Sequence, residues 1–200
     1  MNGYLPENKL LVTNEKNIVQ QNTHFYVKRH SIFALGKSKY TISSDDECFT
    51  GTVSFKKMNT IYDMNNKPQF KFQYKSKSSP KELLFSGGEE NDEIITVKFI
   101  KNSSSFLKSY QAQFYNKATN RNDTILIKSD NFGTFNQIYY GDENGLLIGT
   151  IRKANMVQMS FSLDIYPGVD KFLIIAIGFC IDRLFNAKVG RLGAAAAVAI

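Results

Sequence analysis

Tryptophan is absent from this 200-residue chain, cysteine and histidine occur twice each, and proline four times. Two cysteines, Cys48 and Cys180, cannot build the multi-bridge framework of a small secreted domain, so a reducing compartment is expected. His24 and His30 stand six residues apart with no cysteine or carboxylate at ligand spacing, and read as surface histidines rather than a metal site. No G-x-S-x-G elbow, cysteine–histidine pairing or phosphate-cradling glycine loop occurs. A non-catalytic protein without cofactor is therefore expected. Long apolar runs are missing too: spanning a bilayer takes about 20 predominantly apolar residues, and nothing here approaches that length.

What is present is aromatic and basic. The chain has 16 Phe and 10 Tyr, which suits strands, and 25 Lys and Arg against 18 Asp and Glu, a net charge of +7. Such a surplus favours acidic partners, although evenly spread lysines also make an ordinary soluble surface.

The chain is organised around Asp170–Phe185, DKFLIIAIGFCIDRLF. From Phe172 to Ile181 the apolar run is unbroken, so every face of a helix here is hydrophobic. Such a helix must be buried in protein or lipid. A run this short, ending at Asp182 and Arg183, reads as a core helix over 170–185. Phe172, Ile174, Ile175, Ile177, Phe179, Ile181 and Leu184 are its expected core residues, and Asp170, just after Pro167 and Gly168, its N-cap.

Upstream the period is two. The runs HFYVKR, KYTIS, FTGTVSF, QFKFQY, ELLFS, IITVKFI, YQAQFYN, DTILIKS, QIYY, LLIGTI and VQMSFSLDI read as strands. In the last, Val157, Met159, Phe161, Leu163 and Ile165 share one face while Gln158, Ser160, Ser162 and Asp164 take the other. Turn signals fall at 63–66, 87–93 and 142–145, where Gly145 is expected in a left-handed conformation. The acidic turn at Glu89, Glu90, Asp92 and Glu93 lacks the alternating ligands of a calcium loop and reads as a hairpin tip.

Two units recur. Residues 61–72, 83–99 and 138–151 each show apolar alternation, an acidic or Asn/Gly turn, and alternation again. Residues 28–42 and 98–114 each read basic, serine, large apolar, then a strand led by Tyr. Repetition of similar hairpins implies one sheet. A dozen strands with one wholly apolar helix suggest an all-β fold: a closed antiparallel barrel of about twelve strands around the buried C-terminal helix. Residues 1–22 read as a polar N-terminal arm, 23–186 as the barrel with its helix, and 187–200 as a small-apolar tail, a frayed terminus by preference. The N-terminus lacks a secretion signal and a myristoylation site, and the final residues are no prenylation box. The expectation is an intracellular protein, cytoplasmic or peripheral at a membrane, and not secreted.

Residues 25–42, the hairpin 61–72 and the closing FSLDIYPGVDKFLIIAIGFCIDRLF resemble the LURP-one-related family, whose tubby C-terminal-like fold is a barrel of about twelve strands around a C-terminal hydrophobic helix. IGFCID (177–182) is also similar to the end of the phospholipid scramblase helix. The acidic calcium segment that precedes that helix is reduced here to Asp164 and Asp170, and the cysteine cluster for acylation is missing. The resemblance implies a binding domain for an anionic phospholipid such as a phosphoinositide, or for a membrane-associated protein partner. A scramblase-like membrane protein is the alternative.

The basic residues that meet this expectation stand where strands join turns: Lys28, Arg29, Lys56, Lys57, Lys101, Lys108, Arg152 and Lys153. Several cations brought to one barrel end or groove would clasp a head-group phosphate. Nucleic acid is not expected as a partner. In QFKFQYK the aromatics and lysines fall on opposite faces, so Phe70, Phe72 and Tyr74 read as core rather than as a stacking platform.

Overall fold

In a computed structural model, residues 9–33, 37–54, 57–75, 77–89, 92–101, 109–130, 133–153 and 160–185 are described, with backbone only at 31–33, 37, 182, 183 and 185. The tail 187–200, Lys56 and Lys108 lie outside them.

Twelve strands follow in order: β1 (Thr23–Phe33), β2 (Lys37–Ser43), β3 (Cys48–Ser54), β4 (Asn59–Asp63), β5 (Pro68–Lys75), β6 (Lys81–Gly87), β7 (Ile95–Lys101), β8 (Ser109–Asn116), β9 (Arg121–Ser129), β10 (Phe135–Tyr140), β11 (Leu147–Lys153) and β12 (Phe161–Ile165). The helix α1 (Lys171–Phe185) ends the described chain. Each strand pairs antiparallel with its sequence neighbour, and β1 with β12 through Thr23↔Ile165 and Val27↔Phe161, closing the barrel. Closure leaves no sheet edge among the described strands.

Period-two alternation decides what faces inward. Phe25 and Val27, Phe70, Phe72 and Tyr74, Leu83 and Phe85, Val97 and Phe99, and Leu163 and Ile165 are all buried. They surround α1, whose seven expected core residues are buried without exception. Phe172 and Phe179, two helical turns apart, share the face toward β5. Phe172 stacks on Phe70 at 4.6 Å between centroids and Phe179 on Phe72 at 5.2 Å. Asp170 caps the helix through its Oδ1, which accepts from Phe172 N at 3.1 Å.

Two expectations change. Gly145 is not in the left-handed region; that conformation falls on Gly141, at φ 78°. Glycine is needed at 145 because a Cβ there would stand 1.7 Å from Tyr140 O. Much of the segment read as a polar arm packs against the barrel. Leu10, Leu11, Val12, Ile18 and Val19 are buried, and Leu10 and Ile18 bridge to Val169 and Asp170. The apolar residues of this stretch are too few to mark a periodic element, yet each covers core at the barrel end where α1 begins.

Candidate ligand-binding site at the basic end of the barrel

Alternating strand direction sends every second turn to the same end. The turns after β2, β4, β6, β8 and β10 gather with the N-terminal segment where α1 starts. The strands β1, β3, β5, β7, β9 and β11 end on the side where α1 ends. The hairpins with acidic turns, β4–β5, β6–β7 and β10–β11, all turn at the first end. In the basic and serine-containing pair, β1 and β7 end at the second, and the residues that join them to β2 and β8 lie outside the described ones.

Charge is divided accordingly. The turns at the start of α1 carry Asp45, Asp46 and Glu47, then Asp63, then Glu89, Asp92 and Glu93, then Asp142 and Glu143, against Lys9, Lys16, Lys67, Lys117 and Arg121. The opposite end carries Lys57, Lys75, Lys77, Lys81, Lys101 and Lys128, with Arg152 and Lys153 at the end of β11, while Lys28 and Arg29 lie at the middle of β1. Glu82 and Asp130 set carboxyl groups against them, Glu143 reaches across to Lys128 Nζ at 2.8 Å, and Asp164 attracts Arg152. The polarity matches the helix macrodipole, positive at the acidic end and negative at the basic one. Tyr110 Oη and Lys81 Nζ donate to Leu184 O in the last helical turn, at 2.8 and 3.5 Å. Burial, and after it the neighbouring Lys101, push the Lys81 ammonium below its ordinary range.

Of the basic candidates, Lys28, Arg152 and Lys153 line one trough of about 530 Å³ on the outer wall. Arg29 sits beside it on inward parity, its Nε donating to Ser38 Oγ at 3.0 Å. Lys57 and Lys101 stand elsewhere around the same end.

The trough has a simple origin. Ser162 on β12 and Ser160 just before it are small, while the strands on either side carry long side chains. A direct cross-strand row runs Ser43, Tyr26, Ser162, Arg152, Phe135 over β2, β1, β12, β11 and β10. Small residues make the floor, with Tyr26 and Lys28 as one wall and Arg152 as the other. Phe135 backs the guanidinium of Arg152, its ring centroid 4.3 Å away, which holds the planar group against an aromatic face. Tyr26 is 62% exposed and its ring meets that of His24 edge-on at 4.4 Å. His30 Nε2 and Thr41 Oγ1 are 2.8 Å apart on the far rim.

Further along β12 the chemistry reverses sign. Asp164 Oδ1 lies 2.6 Å from His24 Nδ1, and its Oδ2 accepts from Thr150 Oγ1 at 2.8 Å. Burial would raise the Asp164 carboxyl, but the His24 and Thr150 hydrogen bonds and the attraction of Arg152 hold it below its ordinary range. The His24–Asp164 pair lies open on the outer wall, with side chains 41% and 38% exposed.

Sequence reasoning had named the cations but missed Tyr26, His30, Ser160 and Ser162. The alternation already read in FSLDI placed Ser162 and Asp164 on the outer face; nothing in it told that β1 and β11 would stand on either side.

A closed twelve-stranded antiparallel barrel threaded by one C-terminal hydrophobic helix defines the class. Residues 23–182 match the LURP-one-related family, and the chain belongs to it. A protein of Arabidopsis thaliana solved by X-ray crystallography is similar in fold, with a TM-score of 0.54 at 16% identity over 86% of this chain and 97% of that one. No curated protein matches. No helix among the described residues is long and apolar enough to cross a membrane.

Proposed function

We propose that this LURP-one-related protein is a non-catalytic binding module whose basic end seats on anionic phospholipid, a phosphoinositide-bearing surface above all, or on a protein held at such a surface. The division of charge between the barrel ends carries this reading. A membrane with a negative surface potential attracts each nearby Lys or Arg by about 1 kcal/mol, so a ring of cations at one end gives both affinity and orientation. The acidic end is repelled and faces away. Against a scramblase-like role, α1 would have to abandon the aromatic contacts of Phe172 and Phe179 to enter lipid.

Liposome flotation tests the reading. Phosphatidylcholine vesicles carrying phosphatidylserine or a phosphoinositide are expected to float the protein at low salt and release it at high salt, while phosphatidylcholine alone does not. Failure on every anionic vesicle at low salt would remove the lipid reading.

A further inference from the structure

Four strands round the barrel from β12, the outer wall of β7, β8 and β9 holds a separate depression of about 470 Å³. Its floor is made by outward side chains of three adjacent strands. Lys98, Gln113 and Thr124 stand in one cross-strand row, Tyr115 and Asn122 in the next, and Thr96 lies beside them on β7. Two inter-strand steps span about 10 Å and two residues along a strand about 7 Å. The volume falls within the roughly 300–1,000 Å³ of small-molecule sites.

The chemistry of this floor selects against most ligand classes. Thr96, Gln113, Asn122 and Thr124 are neutral, and none makes a side-chain hydrogen bond within the protein. An amide or a hydroxyl both donates and accepts, so the set is matched by groups that do both. A phosphate or carboxylate only accepts and an ammonium only donates. The charges at the border, Glu93 and Lys98, oppose one another and give an ion of either sign no preference. Asp123 adds nothing to them, because its carboxylate is taken up by Asn116, Thr119, Arg121 and Tyr140. An apolar ligand would desolvate the amides and hydroxyls without replacing their bonds to water.

Tyr115 supplies the remaining element. Its ring is 39% exposed, and its hydroxyl donates to Asn120 Oδ1, which fixes the ring and leaves a flat apolar face beside the polar groups. Ile94, 55% exposed, closes the border just before β7. An apolar face next to convergent donors and acceptors is complementary to a pyranose, whose axial C–H bonds make one face apolar while its hydroxyls ring the edge. We propose that this depression binds a neutral saccharide of one or two pyranose units, with a ring laid on Tyr115 and hydroxyls bonded to Gln113, Asn122 and Thr124. The site lies toward the end where β7 begins, opposite the basic end, so a barrel seated on a membrane by its basic end leaves it open.

The test is an NMR titration of the full chain with maltose, cellobiose, diacetylchitobiose and mannobiose, with adenosine and sodium acetate as comparisons. At least one saccharide is expected to give a saturable shift confined to β7, β8 and β9, with a millimolar or tighter Kd that high salt leaves unchanged. Tyr115→Ala and Gln113→Ala are expected to weaken it fivefold or more. Tyr115→Phe, which keeps the ring, retains binding, and Tyr62→Ala on β4 has no effect. The substituted side chains lie on the outer wall, and an unchanged melting temperature checks that the variants fold. No saturable shift with any saccharide overturns the proposal. So do shifts centred on other strands, binding that survives the Tyr115→Ala, Gln113→Ala double variant, or adenosine or acetate binding more tightly than every saccharide. Flotation on anionic vesicles is read separately, so either reading can fall while the other stands.

Discussion

Asp170 joins three parts of the molecule. Its Oδ2 accepts from Val12 N at 3.1 Å, Thr13 N at 2.7 Å and Thr13 Oγ1 at 2.6 Å, while its Oδ1 caps α1 at Phe172 N. Complete burial pushes this carboxyl up, against the pull of Thr13, Val12 and Phe172 in the other direction. Asp170→Ala leaves buried donors without an acceptor and is expected to cost about 3–5 kcal/mol. Asp170→Asn keeps one oxygen for the Val12 and Thr13 donors but turns an amide toward Phe172 N, a smaller loss of about 1–2 kcal/mol. The pH dependence has a definite sign. A carboxyl raised in the folded state binds its proton more tightly there, so its contribution is full below the unfolded pKa and is lost as pH rises through the folded one. Asp123, Asp130 and Asp164 are held low; their contribution is present above the unfolded pKa and lost as pH falls through the folded one. Urea midpoints across acid to neutral pH, wild type against Asp170→Asn, isolate the Asp170 component. A wild type that gains stability over the variant as pH rises would refute the assigned direction.

At the scale of the element, α1 is held by how closely the sheet approaches it. A Cβ on Gly178 would stand 2.6 Å from Phe161 Cε2 and 3.3 Å from Leu163 Cδ2, so glycine here lets helix and β12 pack in contact. Gly178→Ala gains about 1 kcal/mol of helix propensity. Overpacking a filled core costs about 1–3 kcal/mol, and the ring it strikes is itself wedged edge-on against Phe179 at 5.5 Å. A net destabilisation is expected, larger for Gly178→Val, read as a lower denaturation midpoint at unchanged slope. A more stable alanine variant would mean that β12 has room to yield. The N-terminal segment belongs to the same packing. Asn116 accepts from Leu11 N and donates to Lys9 O, and Lys117 N bonds Leu11 O at 2.9 Å, so it is clipped to the β8–β9 turn as well as to α1.

Across the whole molecule the decisive feature is charge sorted by strand direction. Reversing Lys57 and Lys101 to Glu is expected to weaken flotation on anionic vesicles by on the order of tenfold or more and to flatten its salt dependence. The same reversals at Lys67 and Lys117, at the opposite end, are expected to change little. Equal effects from both pairs would dismiss an oriented docking.

Much of this is legible in the sequence. Alternation in QFKFQY put Phe70, Phe72 and Tyr74 inside, and a helix apolar on every face had nowhere to go but the barrel axis. The two hairpin repeats, one with acidic turns and one basic, already held the separation of charge, because in a meander turns of one kind reach one end. Periodicity and turn chemistry are local, and a local pattern is readable from neighbours in the chain. Which remote residues would meet was a different matter. Tyr26 and Arg152 face each other across Ser162 only because β1 closes on β12, and Leu10 and Val12 find core only because α1 begins beneath them. Those encounters depend on register and closure, properties of the assembled sheet that no single segment carries.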